Sequence, residues 1–184
     1  MAGSGIKLID MTTADLNNDG YPDIAGVDFL YNQIITFMNN GDGTFQAETE
    51  YSMGSLVPLK LSAADIAGDG FIDLTVGTYY SVFSVLINNG DGTFKPLKNY
   101  GATGELRELK TADVNNDGFN DALLVSSTHD AIYLNSGSFG GEFSQTQVIQ
   151  TGDYPNSLVV HDLNGDGNLD LVVSNKNDDD ISVI

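Results

Sequence analysis

The chain has no cysteine and no tryptophan, and only two histidines, four prolines and seven basic residues against 26 acidic ones in 184. Without cysteine there are no disulfides, no thiolate zinc sites and no cysteine nucleophile. The shortage of Lys and Arg leaves a formal net charge of -19, which makes nucleic acid and anionic membranes poor partners. No apolar run approaches the roughly 20 residues that a membrane-spanning helix needs. Residues 1–5, Met-Ala-Gly-Ser-Gly, have neither a charged n-region nor an apolar h-region, so they read as a short expression-type tail rather than a secretory signal. With two histidines and no nucleophile–base pairing in evidence, the expectation is a non-enzyme, and a polysaccharide-acting enzyme is the weaker alternative.

What is present is acid at a fixed period. Asp15, Asp65, Asp113 and Asp162 anchor a repeat with spacings of 50, 48 and 49 residues, the period of propellers and solenoids. The text at the anchors is DLNNDGYPD, DIAGDGFID, DVNNDGFND and DLNGDGNLD, so twelve of the 26 acids sit in four nonapeptides. Four units follow, at approximately 6–54, 55–103, 104–152 and 153–184. After each loop comes a short apolar run, for example Ile24 to Val27 and Ala122 to Val125, too short for a helix and suited to a buried strand. A second run follows at Ile34 to Met38, Ser84 to Ile87, Ala131 to Leu134 and Ile181 to Ile184. In two units it leads into Asn-Asn-Gly-Asp-Gly-Thr-Phe, a hairpin signal in which Asp42 and Asp91 stand apart from other acids. A run ending in Ala14, Ala64 or Ala112 precedes three anchors, where small residues suit innermost strands; His161 stands at the fourth. The fold class expected is all-β, a β-propeller of four-stranded antiparallel blades, about four in this chain with the last incomplete.

The nonapeptides have the chemistry of a calcium cage. Calcium takes six to eight hard oxygen ligands at about 2.3 to 2.6 Å, and alternate residues of a curled loop supply several. The first loop offers Asp15, Asn17, Asp19, Asp23 and the Tyr21 carbonyl, with Gly20 permitting the sharp turn. Asp113, Asn115, Asp117, Asp121 and the Phe119 carbonyl repeat the set, as do Asp162, Asn164, Asp166, Asp170 and the Asn168 carbonyl. The second loop keeps Asp65, Asp69, Asp73 and the Phe71 carbonyl but has Ala67 where the others have asparagine, so it is expected to bind most weakly. An EF-hand is excluded because the twelfth positions are Gly26, Val76, Leu124 and Val173, none a bidentate ligand. Oxygen donors without His or Cys disfavour zinc and copper. For one such loop an Asx-type turn formed without any metal is the competing, weaker reading; repetition of three carboxylates in four loops weakens it further and favours up to four Ca2+ ions.

These motifs resemble the VCBS and FG-GAP repeats, the calcium-bearing blades also found in the integrin alpha-subunit propeller, over about residues 6 to 184. The resemblance implies a β-propeller with calcium between the first and second strands of each blade, and an extracellular or cell-surface setting. It also implies a recognition or adhesion module, with a structural scaffold or the non-catalytic part of a polysaccharide-acting enzyme as alternatives. In such a blade the turn between strands two and three and the inter-blade connectors share the rim opposite the acidic loops, and variable loops on a repeated frame carry specificity. Tyr31, Tyr79, Tyr80, Tyr100, Arg107, His129 and Tyr154 are the candidate contacts there to a glycan or protein ligand. The fourth repeat stops within its third strand, so the expectation is a piece of a larger propeller or a homo-oligomer that closes a ring.

Overall fold

The computed structural model describes residues 5–79, 82–101 and 104–184, and within these the side chain of Thr146 is left aside. All regular structure in them is β, arranged as four antiparallel meanders. The first sheet is β1 (Leu8–Ala14), β2 (Asp23–Asp28), β3 (Gln33–Phe37) and β4 (Thr49–Ser52). The second is β5 (Pro58–Ala64), β6 (Asp73–Thr78), β7 (Val82–Leu86) and β8 (Lys98–Gly101). The third is β9 (Leu106–Ala112), β10 (Asp121–Ser126), β11 (Ala131–Ser138) and β12 (Glu142–Gln150). The fourth is β13 (Pro155–His161), β14 (Asp170–Asn175) and β15 (Asp180–Val183).

Burial follows position within each sheet. The second strands β6 and β10 are buried along their whole length, as expected of apolar runs covered on both faces. The outer strands β4 and β8 are mostly exposed. Successive sheets meet through their first strands, β1 against β5, β5 against β9 and β9 against β13. Ala14, Ala64 and Ala112 end three of these strands and pair with Asp23, Asp73 and Asp121, while His161 pairs with Asp170.

Three buried clusters fill the spaces between consecutive sheets among the described residues. Leu16, Val27, Ile34, Leu61 and Leu74 join the first two sheets. Ile66, Phe83, Leu106, Leu109 and Leu124 join the second and third. Leu123, Ile132, Leu158 and Val173 join the third and fourth. The approach is close: a Cβ on Gly77 would lie 2.1 Å from the Leu106 side chain, so only glycine fits opposite that leucine. The Gly-rich segment of the third repeat lengthens β11 and β12 into one ladder, with a register shift between Leu134 and Asn135, that closes at Phe139-Gly140-Gly141. The first two repeats instead bridge once, Asn39 with Phe45 and Asn88 with Phe94.

Candidate functional site: four acidic loops and the opposite rim

Each acidic loop joins the first and second strands of its sheet, and its sixth residue is a glycine with nearly the same φ every time: 87° at Gly20, 88° at Gly70, 91° at Gly118 and 89° at Gly167. That left-handed conformation strains any residue with a Cβ, which explains why Asp-Gly recurs four times. The turn folds the chain back over the first aspartate. Asp15 accepts N–H bonds from Asp19 at 3.1 Å and Gly20 at 2.8 Å, and Asp113 does the same for Asp117 and Gly118. Asp65 accepts from Gly68, Asp69 and Gly70, and Asp162 from Gly165 and Gly167. The Gly167 N–H holds the Asp162 carboxyl below the usual range.

The third and fifth residues continue the pattern. Asn17, Asn115 and Asn164 each accept the N–H of the fifth-position aspartate, at 2.8 to 3.1 Å. Asp19, Asp69, Asp117 and Asp166 in turn accept the N–H of Tyr21, Phe71, Phe119 and Asn168. The Tyr21 and Phe71 rings lie over the neighbouring Asn-Gly-Asp-Gly turns, against Gly41 and Gly90.

The ninth residue is the brace between loop and sheet. Asp23, Asp73 and Asp121 are fully buried at the start of β2, β6 and β10. One oxygen of each accepts the N–H just after the loop's first residue: Leu16 at 2.9 Å, Ile66 at 2.9 Å and Val114 at 3.2 Å. The other oxygen accepts an N–H from the third-strand side: Asn39 or Asn88, each two residues past its strand, or Gly137 within β11. In the fourth sheet Asp170 accepts from Leu163 at 2.8 Å. Burial pushes the Asp73 and Asp121 carboxyls up despite these bonds; Asp69 adds like-charge repulsion on Asp73, as Asp117 and Asp113 do on Asp121.

The donor set therefore fits a hard cation in kind: oxygen ligands only, with carboxylates of one loop close enough to repel. Among the described residues, no group of three or more His, Cys, Asp or Glu side chains converges in a metal-holding arrangement. The side-chain oxygens rest on N–H groups of their own loop, each oxygen keeping further lone-pair capacity.

Ala67 differs from its asparagine counterparts for a reason that lies in the neighbouring sheet. It is buried, and its carbonyl accepts the Gly140 N–H at 2.9 Å from the β11–β12 turn. Gly141 beside it approaches Ile66 and Ile87. The third sheet thus sits on the second loop. Other loops are latched across sheets too: Asn88 donates to Leu16 O at 2.7 Å, Asn120 to Asp65 O at 2.8 Å, and Asn116 to Asn168 at 3.0 Å. Sequence reasoning passed over Asn88 and Asn120. The recurrence of Asn39 and Asn88 at one repeat position was the available signal.

The β2–β3 type turns and the connectors between sheets lie together at the other rim. Phe29 N–H bonds Lys7 O, Tyr79 bonds Val57 O, Ser127 bonds Glu105 O, and Lys176 bonds Tyr154 O. Tyr31 and Tyr79 are exposed there. Arg107 donates to Ser127 at 2.9 Å, pairs with Glu105 at 3.0 Å and reaches the Tyr154 hydroxyl. Tyr154 has φ 58° and carries Arg107 and Lys176 against its ring, at 4.7 and 5.4 Å. His129 meets the Tyr133 ring edge-on at 6.1 Å. Tyr80 lies outside the described residues. Tyr100 is placed elsewhere: it lies in β8, packs on Phe83 and Phe143, and donates to Gly141 O at 2.9 Å. That packing and the nearby Glu142 push its hydroxyl up to about 12, burial being the larger cause.

A groove of about 380 Å³ opens on this rim. Phe29, Val57, Leu59, Tyr79, Glu105 and Arg107 line it, from the first three sheets. It combines two aromatic rings with one acid and one guanidinium. No helix among the described residues is long and apolar enough to cross a membrane.

The FG-GAP-like repeat matches residues 15–76 and 113–173. No curated protein sequence matches the chain. Among solved structures, BBS1N in complex with ARL6DN is similar with a TM-score of 0.69 and 11% identity, covering 99% of this chain and 52% of that one. An Agrocybe aegerita lectin, described as specific for non-reducing terminal N-acetylglucosamine, gives 0.63 and 22%, covering 88% and 45%. The V. cholerae biofilm matrix protein Bap1 gives 0.51 and 18%, covering 94% and 30%. The chain spans about half the length of the first two and less of the third. At these identities the likeness is one of fold.

Proposed function

Since the chain belongs to the FG-GAP-like repeat family, we propose that it is a calcium-stabilised recognition module of β-propeller type whose ligand sits on the rim opposite the acidic loops. The propeller reading is supported by four consecutive meanders that meet through their first strands. Calcium is supported by four loops that share one turn geometry, each with an all-oxygen donor set and, among the described residues, no Lys or Arg ion pair to its aspartates. The loops would act as clamps, because a cation there neutralises mutually repelling acids that brace the first strand to the second.

The observation that carries the recognition half is the rim groove. Its volume suits a small ligand, and its Phe29 and Tyr79 rings, Glu105 and Arg107 supply an apolar face plus donors and acceptors for hydroxyl groups. A glycan is the ligand this chemistry fits best, in keeping with the lectin among the fold relatives, and a protein partner is the second reading. An extracellular or cell-surface setting follows from the same reading, since millimolar calcium fills even weak sites.

The test is a glycan array and a partner pull-down with the wild-type chain, Tyr79→Ala and Asp19→Ala in excess calcium. Tyr79→Ala should lower rim binding by about tenfold or more, and Asp19→Ala should leave it nearly intact. Binding lost with Asp19→Ala but indifferent to Tyr79→Ala would move the ligand to the acidic loops and overturn the assignment.

A further inference from the structure

The rim groove has an apolar part and a polar part, because the same three repeat positions carry different residues in adjacent sheets. Those positions lie eight and six before the anchor aspartate and fourteen after it. In the second sheet they are Val57, Leu59 and Tyr79, and in the third Glu105, Arg107 and Ser127. They converge because each connector carbonyl accepts the N–H that follows the second strand, Tyr79 on Val57 O at 2.9 Å and Ser127 on Glu105 O at 3.1 Å. Val57, Leu59, Tyr79, Glu105 and Arg107 all line the groove.

The polar part is fixed in place and electrically balanced. Arg107 Nη2 lies 3.0 Å from Glu105 Oε1, and its Nε donates to Ser127 at 2.9 Å. The guanidinium also rests 4.7 Å from the centre of the Tyr154 ring and reaches the Tyr154 hydroxyl. Lys7, Val57, Glu105 and Tyr154 share one repeat position, and of the four Tyr154 alone takes a left-handed backbone, with φ 58°. A bulky residue in that conformation is strained, and such strain collects at ligand sites. Here the strained residue holds the guanidinium of the groove. Lys7 lies over the Phe29 ring at 5.9 Å and does not line the groove, so Glu105 and Arg107 set its charge.

We propose that the groove selects an uncharged pyranose by two adjacent free hydroxyls held between Glu105 and Arg107, and rejects uronic acids, sulfated sugars and sugars with a free amine. This deepens the glycan reading above and rests on it. The carboxylate and the guanidinium stand about as far apart as neighbouring hydroxyl oxygens on a sugar ring. A hydroxyl satisfies both, accepting from the guanidinium and donating to the carboxylate. An anion on Arg107 would stand beside the Glu105 carboxylate, and an ammonium on Glu105 beside the guanidinium, so either charge meets a like charge. The net charge of -19 adds to the exclusion of anions. At about 380 Å³ the groove is near the lower end of small-ligand sites, roughly 300–1,000 Å³, which suits the end of a glycan rather than a long stretch of it.

The test is an array of uncharged, uronic-acid, sulfated and free-amine glycans, read in excess calcium with the wild type, Tyr79→Ala, Glu105→Gln and Arg107→Gln. The wild type should bind uncharged sugars with adjacent free hydroxyls, changing less than about twofold over about a tenfold range of salt. Tyr79→Ala should weaken that binding by about tenfold. Glu105→Gln leaves the guanidinium uncompensated, so it should lower binding of uncharged sugars by about tenfold and raise that of uronic acids. Arg107→Gln should do the same in favour of free-amine sugars. A gain of this kind cannot come from a misfolded variant. Wild-type binding that Tyr79→Ala weakens but that falls on charged sugars, or on sugars without adjacent free hydroxyls, would overturn the selectivity and leave the glycan reading standing. So would variants that leave the charge of the bound sugars unchanged. No bound sugar at all, or binding indifferent to Tyr79→Ala, would overturn the glycan reading and the selectivity with it.

Discussion

Asn88→Ala isolates the contact between an acidic loop and the next sheet. Asn88 is 1% exposed, and its amide donates to Leu16 O at 2.7 Å and Ile72 O at 2.8 Å. Its Oδ1 accepts the Gly90 N–H at 2.8 Å. Truncation removes the side-chain partner of two carbonyls, one buried between sheets, and a buried group left unpaired costs about 1–3 kcal/mol. A total of about 2–5 kcal/mol follows, or a fall in Tm of about 5–15 °C for a chain of this length. Asn39→Ala is the internal control. Asn39 has the same place in the first sheet, but among the described residues its amide N–H reaches only the exposed Pro22 O, at 3.0 Å, so its loss should cost about 0.5–1 kcal/mol. Urea denaturation of both variants in excess calcium, compared through the midpoint at constant m, measures the difference. If Asn88→Ala lay within about 1 kcal/mol of Asn39→Ala, the inter-sheet latch would carry no energy and the reasoning would fail.

Two further predictions concern the loops. Ala67→Asn restores the family's third-position donor on paper, yet Ala67 is buried under the β11–β12 turn. The substitution should cost about 1–3 kcal/mol for burying an amide without raising calcium uptake; a gain in affinity at unchanged stability would show that the turn does not cover the loop. The second prediction is a pH dependence from Asp73 and Asp121, whose carboxyls are raised above the ordinary 3.8 chiefly by burial. The native state then holds more protons than the unfolded state, so these groups favour folding at low pH and lose that contribution as pH rises through their raised values. The Tm increment between calcium-loaded and calcium-free protein should therefore narrow as pH falls from neutrality towards 4. An increment that widened would contradict the assignment.

The repeat, the all-β class and the four loops were legible because each is local: nine residues contain their own turn glycine and their own oxygens. What crossed from one sheet to the next was not. Ala67 reads in sequence as a lost ligand, and its cause is Gly140, 73 positions away. Tyr100 reads as a rim aromatic but is an inter-sheet wedge, packed on Phe143 with its hydroxyl on Gly141 O. Tyr51 repeats that role against Phe94 and Gly92. Tyr51 and Tyr100 stand 49 residues apart, so the period that marked the acidic loops as framework also marked these tyrosines. Tyr154 between Arg107 and Lys176 had no such signal, since its cations come from two different sheets.

The proposal that the four acidic loops hold calcium, and that the fold depends on it, is open to one direct measurement. Calorimetric titration of calcium into the calcium-free chain, paired with its Tm before and after, addresses both halves. The account predicts three stronger sites and a weaker one, the weaker lost with Asp69→Ala, and a rise in stability of about 2.7 kcal/mol per site at 100 times the dissociation constant. No heat of binding at millimolar calcium, with a Tm indifferent to chelator, would contradict it.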